Sequence, residues 1–176
     1  MRKTIKGVVL ECVQGNIVQQ PDMDAIVNAA NKWLRTGGGV AGAIHRAAGP
    51  GLEREAEPLG PIEPGQAVIT GGHNLPNKHV IHCLGPVYGR DKPEAVLLGN
   101  CYHNALQLAE DKGLKSVAFP AISTGIFGYP IEEATKVALA EIVALVPKLK
   151  SVEQVRFVLF GDKDFEVYKQ ALAELG

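Results

Sequence analysis

Two glycine-containing segments each follow an apolar, strand-like run and lead directly into a helix-like run. The first segment covers residues 28–42 and includes three consecutive glycines at 37–39, and the second covers residues 120–130. Glycine lets the main chain adopt positive φ and approach a ligand closely. A helix that begins at such a segment directs its unpaired N–H groups, and the positive end of its dipole, at the same ligand. Two such segments in a small chain indicate a clamp around a diphosphate.

Strand-like and helix-like runs alternate along the rest of the chain. We predict strands over 5–13, 24–27, 67–70, 79–83, 116–122 and 155–160, and helices over 40–48, 52–59, 94–112, 132–146 and 164–175. Alternation with mostly short links predicts an α/β layer fold, in which a largely parallel sheet carries helices on both faces. Ligands of such sheets bind beyond the carboxyl ends of the strands, where both glycine segments and the segment after Phe160 lie.

The size and charge of the chain exclude several classes of protein. With 176 residues, the chain fits one domain, residues 1–176, because domains usually have roughly 100–200 residues. Its formal net charge is −1, so it lacks the overall basic character that indicates a nucleic-acid or acidic membrane partner. No segment reads as a secretory signal or as a membrane span. We expect a monomer with no membrane attachment.

The cysteines and histidines predict neither disulfides nor a metal site. Cys12, Cys83 and Cys101 form an odd set without a CxxC pair, and the first two lie in strand-like runs typical of the core. This pattern favours a reduced, cytoplasmic location. His73, His79 and His103 have no metal-ligand spacing with a cysteine pair, so we predict no structural zinc.

Gly37, Gly39 and Gly42 satisfy the GxGxxG pattern, which is weak evidence alone. In a dinucleotide-binding fold, the glycines follow the first strand tightly, and an acidic residue ends the next strand about 20 positions later. Here residues 32–36 intervene, and the acidic residues at that distance, Glu55 and Glu57, lie in a helix-like run. The sequence therefore disfavours an oxidoreductase, and the absence of a GxxxxGK[ST] motif disfavours a P-loop nucleotidase.

Five segments together resemble the macro domain family, over nearly the whole chain. They are VQGNI at 13–17, DAIVNAAN at 24–31, GGGVAGAIHRAAG at 37–49, VIH at 80–82 with GPV at 85–87, and VAFPAISTG at 117–125. These segments are similar to the MacroD-type branch of the family, including its bacterial single-domain members. The resemblance implies a three-layer α/β/α sandwich with a central mixed, largely parallel sheet, and an ADP-ribose site at the carboxyl edge of that sheet.

The resemblance also assigns ligand-binding roles. The first phosphate loop is Gly38, Gly39, Val40 and Gly42, and the second is Ser123, Thr124, Gly125, Ile126 and Phe127. Asn16 contacts the adenine, Phe160 packs on it, and Ile17 is a further ligand-binding residue. Phe127 lies against the distal ribose, and Asn31, the catalytic residue, hydrogen-bonds that ribose and orients C1″. A capping role is the alternative for Asn31.

The chain departs from the family pattern at two positions. Asn16 replaces the Asp that accepts from the adenine 6-amino group, so the bond loses charge assistance and we expect weaker adenine discrimination. Ala41 replaces the Asp that is proposed to activate or position water. Some similar viral domains with Ala in this place are still hydrolases, and substrate-assisted catalysis is offered for them. A slow hydrolase is compatible with Ala41 because general acid–base catalysis typically contributes roughly 10²–10⁴-fold.

Three polar residues near the glycine segments allow a structural or a functional interpretation. For Asn28 we expect side-chain bonds to the backbone that pin the loop. His45, four residues after Ala41, is expected to be packed and hydrogen-bonded, with a role as substitute base as the alternative. For His82, in a buried strand, we expect a core role.

The resemblance implies an ADP-ribosyl ester hydrolase. Its substrates would be proteins mono-ADP-ribosylated on acidic side chains and O-acetyl-ADP-ribose, with no metal or redox cofactor. Two alternatives stay open: a non-catalytic ADP-ribose reader, which Ala41 favours, and a regulator that binds an RNA or protein partner. The near-neutral charge disfavours strong RNA binding.

Overall fold

The computed structural model describes residues 1–175, which form one sheet of seven strands and five α-helices. In chain order they are β1 (Arg2–Ile5), β2 (Val8–Gln14), β3 (Ala25–Ala29), α1 (Gly39–Ala48), α2 (Pro50–Ala56), β4 (Ala67–Gly71), β5 (His79–Cys83), α3 (Glu94–Asp111), β6 (Ser116–Phe119), α4 (Ile131–Leu145), β7 (Gln154–Leu159) and α5 (Asp162–Ala173). Short 3-10 turns follow α2 and α4. The predicted α/β fold with a mixed, largely parallel sheet is confirmed.

The sheet has the strand order β1-β2-β7-β6-β3-β5-β4. Its five central strands are parallel to one another, and the edge strands β1 and β4 are antiparallel to their neighbours. The prediction of one strand over 5–13 was wrong. Lys6 and Gly7 have positive φ of 47° and 87° and turn the chain back, so this run forms the hairpin of β1 and β2.

Helices cover both faces of the sheet, which gives three layers. One face packs against α3, α4 and α5 through Leu98, Ala138 and Tyr168, all buried in the larger core cluster. The other face packs against α1 and α2 through Ile44 and Leu52. The three cysteines are buried, and no helix within residues 1–175 has the length and apolarity needed to cross a bilayer.

The parallel strands end at one edge of the sheet and place the candidate site there. β2 ends at Gln14, β3 at Ala29, β6 at Phe119 and β7 at Leu159. Because these four strands run in one direction, the segments that follow them emerge side by side. The predicted strand over 116–122 ends earlier than expected, since the chain leaves the sheet after Phe119 and enters the second glycine segment.

Candidate functional site

A cavity of about 430 Å³ opens at the carboxyl edge of the sheet. Both glycine segments and the ends of β2 and β7 contribute to its wall. The lining residues are Gly15, Asn16, Ile17, Gly39, Val40, Ala43, Pro120, Ala121, Thr124, Val158, Leu159, Phe160 and Asp164. Most of this lining is apolar, which is typical of a site that takes an organic ligand.

The first glycine segment presents a row of main-chain N–H groups without partners. Gly38 caps α1 with no side-chain hydrogen bond, and after the Thr36 N–H the next N–H with an acceptor is that of Gly42, which donates to the Gly38 carbonyl at 3.1 Å. The N–H groups of residues 37–41 have no acceptor within residues 1–175. Such a row at a helix N-terminus favours an anion.

Close packing accounts for the glycine at position 42. A Cβ on Gly42 would lie 2.4 Å from the Gly37 carbonyl oxygen, so any side chain would displace the loop. Gly42 does not line the cavity. Position 42 thus supports the backbone that faces the cavity, and its contact with a phosphate stays a prediction.

The second glycine segment forms a tight turn that leaves its own N–H groups free. The Tyr129 N–H donates to the Ser123 carbonyl at 2.9 Å, and the Gly128 N–H donates to the Gly125 carbonyl at 3.0 Å. Ser123 has a φ of 68°, and its Oγ is buried without a hydrogen-bond partner. The N–H groups of residues 125–127 have no acceptor within residues 1–175. A second anion-binding row therefore lies on the same edge of the sheet.

An exposed aromatic ring lies at one end of the cavity. Phe160 follows β7 and is 85% exposed, and Ile17 and Asn16 follow β2 beside it. The Oδ1 atom of Asn16 accepts the Val18 N–H at 3.1 Å. An apolar ring that faces solvent in a cavity provides a stacking platform for a flat ligand.

Asn31 lies outside this cavity, in a second one of about 350 Å³ that also contains Phe127. Both ends of the Asn31 amide bind the backbone of Arg35: Nδ2 donates to the Arg35 carbonyl at 2.7 Å, and Oδ1 accepts the Arg35 N–H at 3.0 Å. The amide retains a second N–H and a second lone pair, so its orientation is fixed while it can still bind a ligand.

Helix α2 anchors the loop that orients Asn31. The Glu53 carboxylate accepts the Thr36 N–H at 2.7 Å, and this bond holds the pKa of Glu53 below its ordinary value. Glu57 pairs with Arg35 Nε at 3.4 Å. Leu34 is buried, and its side chain fixes the middle of the loop in the core.

The predicted site residues thus divide into three groups. The cavity beside Phe160 contains Asn16, Ile17, Gly39, Val40, Thr124 and Phe160. The second cavity contains Asn31 and Phe127. Gly38, Gly42, Ser123, Gly125 and Ile126 line neither cavity, although they belong to the loops that border them, and Ile126 is 99% exposed.

Ala41 and His45 lie on successive turns of α1, and both are buried. Ala41 is 5% exposed and does not line the cavity. His45 is packed, as predicted, but the expected hydrogen bond is absent because both ring nitrogens are buried without a partner within residues 1–175. Burial lowers the pKa of His45, so the ring is neutral at pH 7.

A buried polar network begins at Asn28, the first residue of the first glycine segment. The Asn28 Nδ2 atom donates to His82 Nδ1 at 3.1 Å, and His82 Nε2 lies 3.0 Å from Thr70 Oγ1. The prediction that Asn28 bonds to the backbone was wrong, because β3 and β5 bring the His82 ring into the place where a loop carbonyl was expected. Burial lowers the pKa of His82 to about 3. The network of Asn28, His82 and Thr70 is therefore uncharged at pH 7, and its role is structural.

Sequence reasoning missed several wall residues. Gly15, Ala43, Pro120, Ala121, Val158 and Leu159 line the cavity through backbone or small apolar side chains. Each adjoins a predicted site residue or strand end, which is the only signal that marks them. Asp164, in the first turn of α5, is the one acidic residue in the lining, and nothing in its local sequence distinguishes it. No group of three His, Cys, Asp or Glu residues in the described part of the chain has an arrangement suited to a metal.

Comparison with known proteins identifies close relatives. The macro domain family model matches residues 27–138. A macro domain-containing protein of Caldanaerobacter subterraneus is 47% identical over 171 residues, covering 94% of this chain and 97% of its own. An O-acetyl-ADP-ribose deacetylase of Klebsiella pneumoniae is 45% identical over 168 residues, covering 93% and 95%.

Solved macrodomain structures are also similar to this chain. The Oceanobacillus iheyensis macrodomain with ADP superposes with a TM-score of 0.92 at 41% identity, covering 98% of this chain and 94% of its own. The Trypanosoma brucei macrodomain in complex with ADP-ribose gives a TM-score of 0.83 at 36% identity, covering 95% and 69%.

Proposed function

Because the chain belongs to the macro domain family, we propose that it binds ADP-ribose and hydrolyses the ester at the distal ribose. The observation that supports this most directly is the pair of unpaired main-chain N–H rows, at residues 37–41 and 125–127, on one edge of the sheet. A diphosphate carries negative charge on both phosphates, and each row supplies N–H groups that pair with one of them. The exposed ring of Phe160 then receives the adenine, and the cavity with Asn31 receives the distal ribose.

The substrates in this proposal are mono-ADP-ribosylated acidic side chains and O-acetyl-ADP-ribose. Asn31 contributes by orientation. Its amide is held by the Arg35 backbone, so the ribose hydroxyls meet donors and acceptors whose direction is already set. Preorganisation of this kind lowers the entropic cost of reaching the reactive geometry.

Water is the nucleophile, and Ala41 offers no side chain to activate it. We propose that a phosphate oxygen of the ligand takes the water proton while the water oxygen attacks. Where the ester oxygen is bonded to C1″, attack at C1″ breaks that C–O bond and expels the carboxylate. Attack at the ester carbonyl breaks the acyl–oxygen bond of an ester on any ribose hydroxyl, and the ribose oxygen leaves as a hydroxyl. Either route releases ADP-ribose and a carboxylate. Without a protein base, we expect slow turnover.

Ala41 also supports a second candidate, a reader that binds ADP-ribose and does not hydrolyse it. The two functions are separated by incubating stoichiometric protein with a target mono-ADP-ribosylated on an acidic residue, while calorimetry measures ADP-ribose binding. Loss of label, abolished in Asn31→Ala, supports the hydrolase. Retained label with micromolar binding establishes the reader, and absence of binding overturns both.

Hydrolysis in ¹⁸O water distinguishes the two routes. Attack at the carbonyl places ¹⁸O in the released carboxylate, and attack at C1″ leaves that carboxylate unlabelled. Mass spectrometry of acetate released from O-acetyl-ADP-ribose, and of the released acidic peptide, reads the label. Unlabelled acetate from the O-acetyl substrate would contradict carbonyl attack on that substrate.

The proposal also describes a monomeric, one-domain cytoplasmic protein whose partners are ADP-ribosylated proteins. The formal net charge of −1 supports this over an RNA-binding regulator. Sedimentation equilibrium tests the monomer, and retention on RNA that weakens with added salt would favour the regulator.

A further inference from the structure

The orientation of the Asn16 side chain decides what it offers to a ligand. Its Oδ1 accepts the Val18 N–H at 3.1 Å, and an N–H group can only donate to the oxygen end of the amide. The Asn16 carbonyl accepts bonds from the Gln19 N–H at 2.9 Å and from Gln20 Nε2 at 3.0 Å, so the backbone of this residue is also held. The amide nitrogen therefore occupies the remaining position, and it donates to no group within residues 1–175.

A second donor lies next to this amide. The Ile17 N–H has no acceptor within residues 1–175, and Ile17 lines the cavity beside Phe160. The end of the cavity that contains the exposed ring is thus lined by two consecutive residues, each with an N–H donor that has no acceptor within residues 1–175. Asp164, the acidic residue of the lining, follows Phe160 in the sequence and lies in the first turn of α5.

Adenine and the 6-oxopurines differ at the edge formed by the C6 substituent and N7, which is the edge that would meet these donors. Adenine carries a 6-amino group, which donates, whereas a 6-oxopurine carries O6, which accepts next to the acceptor N7. An amide nitrogen that faces a 6-amino group leaves both groups without a partner, and an unpaired buried donor costs binding energy. An amide nitrogen that faces O6 makes a hydrogen bond.

We propose that Asn16 makes this site a 6-oxopurine site: a hypoxanthine- or guanine-containing nucleoside diphosphate ribose binds at least as tightly as ADP-ribose. The inference rests on the proposed function, which stacks a purine on Phe160. It concerns only which edge of the purine the protein recognises. Asn16 is then the residue that determines base specificity, and its Nδ2 is the atom that does so.

The test measures the dissociation constants of ADP-ribose and inosine diphosphate ribose by calorimetry. For the unmodified protein, we expect inosine diphosphate ribose to bind as tightly as ADP-ribose or more tightly. Asn16→Asp keeps an oxygen for the Val18 N–H and replaces the amide nitrogen with a second oxygen. This variant should shift the ratio of the two constants toward ADP-ribose by about tenfold or more, the typical discrimination of a good base contact.

Asn100→Asp is the matched control, because it adds the same charge on α3, outside the cavity. It should leave the ratio unchanged. A tenfold preference of the unmodified protein for ADP-ribose, or an unchanged ratio in Asn16→Asp, overturns the inference alone. Failure of both nucleotides to bind overturns the proposed function and the inference together.

Asp164 is the rival reader of the base. A carboxylate accepts from a 6-amino group, so a site governed by Asp164 would prefer ADP-ribose and lose that preference in Asp164→Asn. We expect instead that Asp164→Asn leaves ADP-ribose no weaker, relative to inosine diphosphate ribose, than in the unmodified protein. Thermal melting of each variant confirms that the fold is retained.

Discussion

Gly85 lies directly against Ser123: a Cβ on Gly85 would lie 2.1 Å from Ser123 Oγ and 2.6 Å from the Ile122 side chain. Gly85 follows β5, and Ser123 lies in the second glycine segment. The end of one strand thus sets the position of a loop that belongs to the strand beyond its neighbour in the sheet. This contact restrains Ser123 and therefore the N–H groups of residues 125–127 that follow it.

We therefore expect Gly85→Ala to destabilise the protein by about 1–3 kcal/mol, the usual cost of overpacking a well-filled site. It should also weaken ADP-ribose binding, because the loop must move. Urea unfolding and calorimetry measure the two effects. Ser123→Ala removes the nearest atom, so the double variant should recover part of the stability; no recovery would contradict the contact as the cause.

Substitution of Gly125 should affect ligand binding and leave the stability of the fold almost unchanged. A Cβ there would have no neighbour within 4 Å, so Gly125→Ala should change stability by only about 0.5 kcal/mol. The added methyl group stands where a phosphate would approach the main chain, and we expect affinity for ADP-ribose to fall about tenfold, or 1.4 kcal/mol. Gly99→Ala on α3 is the control and should leave the affinity unchanged. Full affinity in Gly125→Ala would remove this backbone from the phosphate contact.

Ala41→Asp should accelerate hydrolysis. A carboxylate one turn before His45 supplies the general base that the chain lacks, and such catalysis typically contributes roughly 10²–10⁴-fold. Single-turnover release of ADP-ribose measures the gain. Ala41→Asn has nearly the same shape without the basic carboxylate and should remain slow. Equal rates in the two variants would show that position 41 acts by shape alone.

The buried His82 ring should make the protein acid-sensitive. Burial lowers its pKa from 6.5 to about 3, so the unfolded chain binds a proton between these values that the folded chain does not. Stability is therefore lost as the pH falls from 6.5 toward 3, by about 1.4 kcal/mol per pH unit for one group. Urea unfolding at pH 7.0 and 5.0 measures the slope. His82→Gln should show a smaller loss on acidification; an equal loss would assign it to other groups.

Much of the fold follows from the sequence because its signals are local. An apolar run that ends at Asn28 marks β3, an apolar run that leads into the second glycine segment marks β6, and the spacing of apolar residues marks α3 and α4. The strand order is not local, since β7 lies between β2 and β6 although it comes last in the chain. The first hairpin was missed because Lys6 and Gly7 turn the chain within an otherwise continuous β-branched run.

The candidate site was predictable to the level of loops and not to the level of atoms. The two glycine segments predict the edge of the sheet where the cavities lie. The sequence does not reveal that Asn31 is bound to the Arg35 backbone or that Val18 fixes the Asn16 amide. Both are choices of side-chain rotamer, and each depends on the local backbone conformation and on neighbours that the folded chain provides.

The unpaired N–H rows of residues 37–41 and 125–127 have a consequence for how this protein tolerates change. Every residue but proline carries the same amide, so replacing a side chain there erases nothing that a phosphate would touch. Alanine scanning will therefore under-report the contribution of the non-glycine positions in these rows, because it leaves their N–H groups in place. Proline scanning or amide-to-ester substitution, which removes the N–H itself, is the more sensitive map of the contact surface.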